Sequence, residues 1–232
     1  MKPSRFAPVA ALAAVLSLAL VPPAEAAPGA DLVSALAAQA DGLRPEVLRL
    51  AIDAQRTAAA KGLLPRPELL TVIDYSIPST KPRLFTFDVE TRKLLFREHV
   101  AHGVNSGENV PTAFSNDEGS RQTSLGLFVT QETYVGANGY SLRLGGLERG
   151  VNHLARARAI VVHGAPYVNP AAAKKQGRLG RSWGCPAVRS AIARKFIDTI
   201  RGGSAIFAYY PDRNWLASSK FLGGETVLAA GM

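Results

Sequence analysis

Cys185 is the only cysteine in the chain, and it sits in the turn Gly180-Arg181-Ser182-Trp183-Gly184-Cys185-Pro186. Upstream, Ile160-Val161-Val162 runs into His163-Gly164. A thiol is a weak nucleophile until it loses its proton, and an imidazole is the side chain best suited to take that proton near neutral pH. The pair therefore points to acyl transfer through a thioester. Gly184 removes side-chain bulk beside the sulfur. The backbone N–H groups of Trp183, Gly184 and Cys185 are candidates for an oxyanion hole. Pro186 has no N–H and stiffens the exit from the turn. The competing readings are a small buried cysteine and a hydrogen-bonded core histidine, which lone residues of these types often are.

The elements that must position this pair are legible in outline. Leu32, Leu36, Leu43, Val47, Leu48, Leu50 and Ile52 recur at roughly helical spacing, and Asp41-Gly42 breaks the pattern. Two helices over 31–61, packed on the main domain as a hairpin, are expected. After Pro65 and Pro67 the pattern turns to short β-rich runs. These are 70–75, 83–89, 94–100, 124–130, 140–144, a buried strand 159–163 that ends on His163, and 205–210. Residues 191–201 read as a helix closed by Gly202-Gly203. Residues 102–122 form a long polar loop, the kind of segment that is often functional in a compact domain. The fold expected is mainly β, with an N-terminal helical hairpin and one C-terminal helix. The organisation expected is a leader over 1–26, a helical segment over 27–66, a catalytic domain over 67–212 and a tail over 213–232.

The leader reading rests on Lys2 and Arg5, an apolar run from Val9 to Val21, and the small-x-small stretch Ala24-Glu25-Ala26. The run is shorter than the ~20 residues of a membrane-spanning helix, and an uncleaved anchor is the alternative. Cleavage after Ala26 would leave ~206 residues, one domain of ordinary size. Export to the periplasm or cell wall follows, and a single cysteine there has no internal disulfide partner. The formal net charge is +9, and removing Lys2, Arg5 and Glu25 leaves +8. The basic residues are dispersed rather than gathered with aromatics, which argues against nucleic-acid binding and fits attraction to extracellular polyanions.

These motifs resemble the L,D-transpeptidase catalytic-domain (YkuD-like) family, in the branch whose nucleophile turn reads as Gly180 to Ala187 does. The likeness also takes in Val72 to Ser76, Val100-Ala101-His102-Gly103 and Ser124 to Val129, and spans roughly residues 68 to 211. It implies a β-sandwich-like YkuD-type catalytic domain without metal or organic cofactor. Cys185 would be the nucleophile, His163 the general base, and Ser182, Trp183 and Gly184 the turn that helps build the oxyanion hole. The implied partner is a peptidoglycan stem tetrapeptide, cut after its L-centre diamino acid and passed to an amine as a 3→3 cross-link. Water as acceptor would give an L,D-carboxypeptidase. Most of the family has a second histidine where this chain has Trp183, and Arg or Asn where it has Ala187. An indole cannot accept a proton, so His163 is left as the base. Arg121, Arg143, Arg178 and Arg181 are candidates for holding stem carboxylates, with Ser182 beside them and Tyr140 as a cleft wall. Arg181 or Arg189 would supply the charge missing at Ala187. Two other readings remain. His99, His102, His153 and His163 would make a metal site of no compact ligand spacing, and a non-catalytic wall-binding module would not need the thiol. Oligomeric state is not legible.

Overall fold

A computed structural model describes Met1 and residues 28–223; the leader reading and residues 224–232 lie outside the described residues. Two helices come first, α1 (Pro28–Ala37) and α2 (Pro45–Ala60). Pro45 occupies the first turn of α2, where its missing N–H costs no intrahelical bond. Val47, Leu48, Leu50, Ala51, Ile52 and Ala54 of α2 are buried in the same cluster as the central strands, so α2 closes the core rather than standing off it.

Among the described residues nine strands follow: β1 (Leu69–Asp74), β2 (Leu84–Asp88), β3 (Lys93–Glu98), β4 (Val100–Ala101), β5 (Gly126–Gly136), β6 (Gly139–Gly146), β7 (Val161–Ala165), β8 (Ala187–Arg189) and β9 (Ala205–Tyr209). They form one sheet in the order β3-β2-β1-β9-β5-β6-β7-β8-β4. The β1–β9 and β7–β8 pairs are parallel and the rest antiparallel. The two edge strands, β3 and β4, are neighbours in sequence, with only His99 between them. The sheet is therefore nearly closed on itself. The sequence reads 94–100 as one strand; the chain in fact changes partners at His99, leaving β2 for β8. The seam is stitched by Arg189 of β8, whose guanidinium donates to both oxygens of Glu98 on β3 at 2.9 and 2.6 Å.

The mainly β expectation holds, and the helices outnumber the reading. Besides α4 (Ser190–Ile200), the chain forms α3 (Pro170–Gln176) and α5 (Arg213–Ser218). Asn169 caps α3 by accepting from the N–H groups of Ala171 and Ala172, and Gly177 ends it with a left-handed φ of 77°. The tail expected from residue 213 onward is corrected by α5. Trp215, Leu216, Phe221 and Leu222 are buried, and the Trp215 ring packs against Phe207 and Tyr209 of β9. Its Nε1–H reaches the buried Glu148 at 3.1 Å.

Candidate active site

The turn carrying Cys185 is held from below by the segment that follows β4. Ser182 N–H donates to His102 O at 2.9 Å, and Val104 N–H donates to Ser182 O at 2.7 Å. The Ser182 hydroxyl staples the turn internally. It donates to Cys185 O at 2.6 Å and accepts from Gly184 N–H at 3.1 Å. Gly184 has φ +120°, and a Cβ there would lie 2.7 Å from Gln122 O, so both conformation and space require glycine. Of the three expected oxyanion donors, Gly184 is thus engaged by Ser182. The N–H groups of Trp183 and Cys185 have no hydrogen-bond partner among the described residues.

The half-buried sulfur sits against the turn that precedes β7. Its S–H donates to Ala159 O at 3.7 Å, and Val161 N–H donates to it at 3.4 Å. Ala159 takes φ +52° to present that carbonyl. Burial pushes the thiol above its ordinary range, while the Val161 N–H and the Arg158 guanidinium pull it back. The sulfur is protonated at neutral pH.

His163 lies on β7 with 4% of its surface exposed. Its Nδ1 is 3.0 Å from Gly164 O. A carbonyl can only accept, so Nδ1 carries the proton and Nε2 is the bare nitrogen of the neutral ring. Nε2 makes no hydrogen bond among the described residues. It is not sealed from solvent either, since Asp74 Oδ2 is the one buried side-chain atom left without a partner there. Burial lowers the His163 pKa, opposed by the Gly164 carbonyl, so the ring is neutral at pH 7.

Ladder register relates the two groups. His163 pairs with Ala187, two residues after Cys185, and the sulfur is bonded by Val161, two residues before His163. The two residues are thus offset by two positions along adjacent segments. No hydrogen bond joins them here, because the S–H is turned to Ala159 O instead.

The other expected residues separate. Trp183 is 72% exposed at the rim, and the Arg121 guanidinium lies 4.5 Å over its ring. Together with Glu118, Arg158 and Ala159 they line a cavity of about 440 Å³. Arg181 is not free. Its Nη1 donates to Val104 O, Gly107 O and Glu108 at 3.2, 2.9 and 2.7 Å, tying down the loop. Glu108 also takes Arg178, and Arg189 belongs to the seam. Arg143 pairs with Glu132 at 3.3 Å and stacks on Tyr134. Tyr140 is not a cleft wall. It precedes Ser141, the residue opposite His163, so strand alternation turns it to the other face. There its hydroxyl donates to Asp198 of α4 at 2.5 Å and Arg194 covers its ring. The four histidines are dispersed: His99 meets Thr80 O, and His153 meets Asn116 and Gly150 N–H. Among the described residues no group of three or more metal-ligating side chains occurs.

Two residues that the sequence reading passed over support the turn. Arg83 is fully buried and places Nη2 2.7 Å from His102 Nδ1, while His102 Nε2 meets Gly107 O at 3.2 Å. Arg158 is the second.

A sequence model of the L,D-transpeptidase catalytic domain matches residues 39–209, about three quarters of the chain. The chain belongs to the L,D-transpeptidase catalytic domain family. The matched stretch runs from α2 through β9 of this L,D-transpeptidase domain and leaves α1 and α5 outside it. No curated protein sequence matches the chain. Among solved structures, an L,D-transpeptidase from Mycobacterium smegmatis aligns at 15% identity and a TM-score of 0.38, over 62% of this chain and 59% of its own. The helical cell shape determining protein Pgp2 from Campylobacter jejuni aligns at 12% identity and a TM-score of 0.43, over 71% and 52%. The chain spans about half to three fifths of the length of these structures.

The buried His102 gives this L,D-transpeptidase domain a pH signature. Burial first, and the Arg83 charge second, push its pKa down to about 4 from 6.5. The folded-state pKa is below the unfolded one, so its stabilising contribution is complete above pH 6.5 and is lost as pH falls toward 4. The unfolded chain takes up a proton there that the native ring refuses. The loss amounts to about 3 kcal/mol across that window, and His163 acts in the same direction. Urea unfolding at pH 7.0, 5.5 and 4.5 should show stability falling step by step. A flat profile would mean His102 is not held neutral.

Proposed function

We propose that the chain is an exported peptidoglycan L,D-transpeptidase that works through a Cys185–His163 pair. The observation that carries this is the fixed tautomer of His163. Gly164 O holds Nδ1–H, which leaves a bare Nε2 on β7, two register positions from the residue that carries the only thiol. The mechanism requires the Cys185 side chain to turn away from Ala159 O toward that nitrogen.

Nε2 then takes the thiol proton, and the thiolate attacks the carbonyl of the L-centre diamino acid in a stem tetrapeptide. The negative charge on the carbonyl oxygen would fall to the N–H groups of Trp183 and Cys185. Collapse breaks the amide bond. The departing D-Ala nitrogen takes the proton from the imidazolium, and a thioester to Cys185 remains. An amine of a second stem, deprotonated by His163, attacks the thioester, and the thiolate leaves and is reprotonated. The product is a 3→3 cross-link, with atoms and protons balanced and the enzyme restored. Water in place of the amine gives the carboxypeptidase reaction at the same site. In this reading residues 1–26 direct export to the periplasm or cell wall and are removed.

Incubation of purified protein with disaccharide-tetrapeptide, read by mass spectrometry, tests the proposal. Cross-linked dimers with loss of D-Ala are expected. Tripeptide alone would replace transfer with trimming. Unchanged substrate would sink both and favour a non-catalytic wall-binding module.

A further inference from the structure

Arg158 is a half-buried cation without an acid partner. Its Nη1 donates to Ser115 O at 2.7 Å and to Ser124 Oγ at 2.5 Å. Its Nη2 donates to Ser120 Oγ at 3.0 Å and to Gln122 O at 2.8 Å. No carboxylate lies within ion-pair distance of it among the described residues. Four neutral oxygens anchor the guanidinium, yet none cancels its charge, and an arginine cannot shed that charge by deprotonating.

The segment that carries Arg158 also wraps the sulfur. Ala159 O takes the S–H and Val161 N–H approaches the sulfur from the other side. Arg158 and Ala159 share the wall of the cavity under Trp183. The other titratable groups facing the sulfur bring no charge at neutral pH. His163 is neutral, and the Tyr75 and Tyr167 phenols are pushed up to about 12 by burial. Asp117 faces Arg158 from the loop, and Glu118 lies on the outer wall of the cavity.

We propose that Arg158 is a positioning residue that serves as the standing counter-charge of the Cys185 thiolate, fixed in place by its four bonds to loop 115–124. This deepens the proposed function and rests on Cys185 being the nucleophile. When the S–H proton leaves, the Ala159 carbonyl turns from acceptor to repelling dipole, so the sulfur moves off it. Val161 N–H and the guanidinium field stay with the anion. The charge dependence of the thiol follows the same geometry, since burial raises its pKa and Arg158 opposes the rise.

The test is the pH dependence of Cys185 alkylation by iodoacetamide in the full chain, followed by intact mass between pH 6 and 11. R158Q is expected to move the midpoint up by about one pH unit and slow alkylation about tenfold below it. S120A removes one loop bond and keeps the charge, so its midpoint should match the parent. A parental midpoint in R158Q, or an equal shift in S120A, overturns the proposal. Should R158Q fail to fold, R158K decides. A midpoint within about half a unit of the parent is expected, and a rise of one unit or more overturns it. Alkylation reads the thiol whether or not stem peptides are turned over. Failure here and failure of the transpeptidase reading are therefore separate results.

Discussion

Cys185→Ala is expected to fold like the parent and to form no acyl adduct. The sulfur is half-buried and makes only two long contacts, at 3.4 and 3.7 Å. Removing it costs under about 1 kcal/mol, because no buried group loses a strong partner. The chemistry has no substitute: Ser182 Oγ already donates to Cys185 O and holds the turn. On the proposed mechanism, removing the sulfur should lower turnover of disaccharide-tetrapeptide by about 10⁴-fold or more. Intact mass after incubation with a carbapenem checks the covalent step directly. The parent gains one inhibitor mass and the variant none. An undiminished adduct on the variant would place the nucleophile elsewhere and remove the basis for the His163 assignment. Cys185→Ser should also fail, since its hydroxyl ionises far less readily than a thiol beside the same imidazole.

How much of this site the sequence displays depends on whether the relevant partner is local. Cys185 and His163 stand out because unusual residue types sit on short motifs, and the buried strand that carries His163 can be read from three consecutive apolar residues, although β7 starts at Val161 and runs on to Ala165 rather than ending on the histidine. The caps of α3, Asn169-Pro170 and Gly177, are equally local. Arg158 is different. It stands in the run Arg156-Ala157-Arg158, where Arg156 is exposed and pairs with Glu132, while Arg158 turns inward to loop 115–124. Nothing in the run distinguishes the two; the distinction comes from strands and loops about 30 positions away. The surroundings of Arg181 are hidden for the same reason, because its ion-pair partner Glu108 lies far upstream. Tyr140 failed on alternation. Its strand was legible but its register was not, and register alone decides which face a strand residue occupies. The tail shows only scattered apolar residues, and Trp215 becomes a core residue because β9 and Glu148 await it.

The largest stability effect is expected at Arg83, where the two sheet edges meet. The guanidinium is fully buried, and desolvation pushes its pKa down to about 10. It stays charged and uses its whole fork. Nε and Nη2 donate to Val100 O at 3.0 and 2.9 Å, Nη1 donates to Ile77 O at 3.0 Å, and Nη2 reaches His102. The negative side of this balance is Asp74, buried on β1 with Oδ2 lacking any hydrogen bond and 3.8 Å from Arg44. Arg83→Met should cost about 3–5 kcal/mol, since it takes the donors from the Val100 and Ile77 carbonyls and removes a cation that opposes the burial-raised pKa of Asp74. For a domain of this size that is a fall in Tm of roughly 10 °C. Arg83→Lys should rescue little, because one ammonium cannot span Val100, Ile77 and His102 together. The charge argument predicts coupling as well. Asp74→Asn added to Arg83→Met should be less destabilising than the two single costs summed, by about 1 kcal/mol or more. Urea unfolding of the parent, both single variants and the double variant measures this. Strictly additive costs would show that Arg83 holds the seam by its hydrogen bonds alone. A non-additive result would show that the buried charges of Asp74 and Arg83 form one unit, and His102 O would extend that unit to the turn that carries Cys185 through Ser182 N–H.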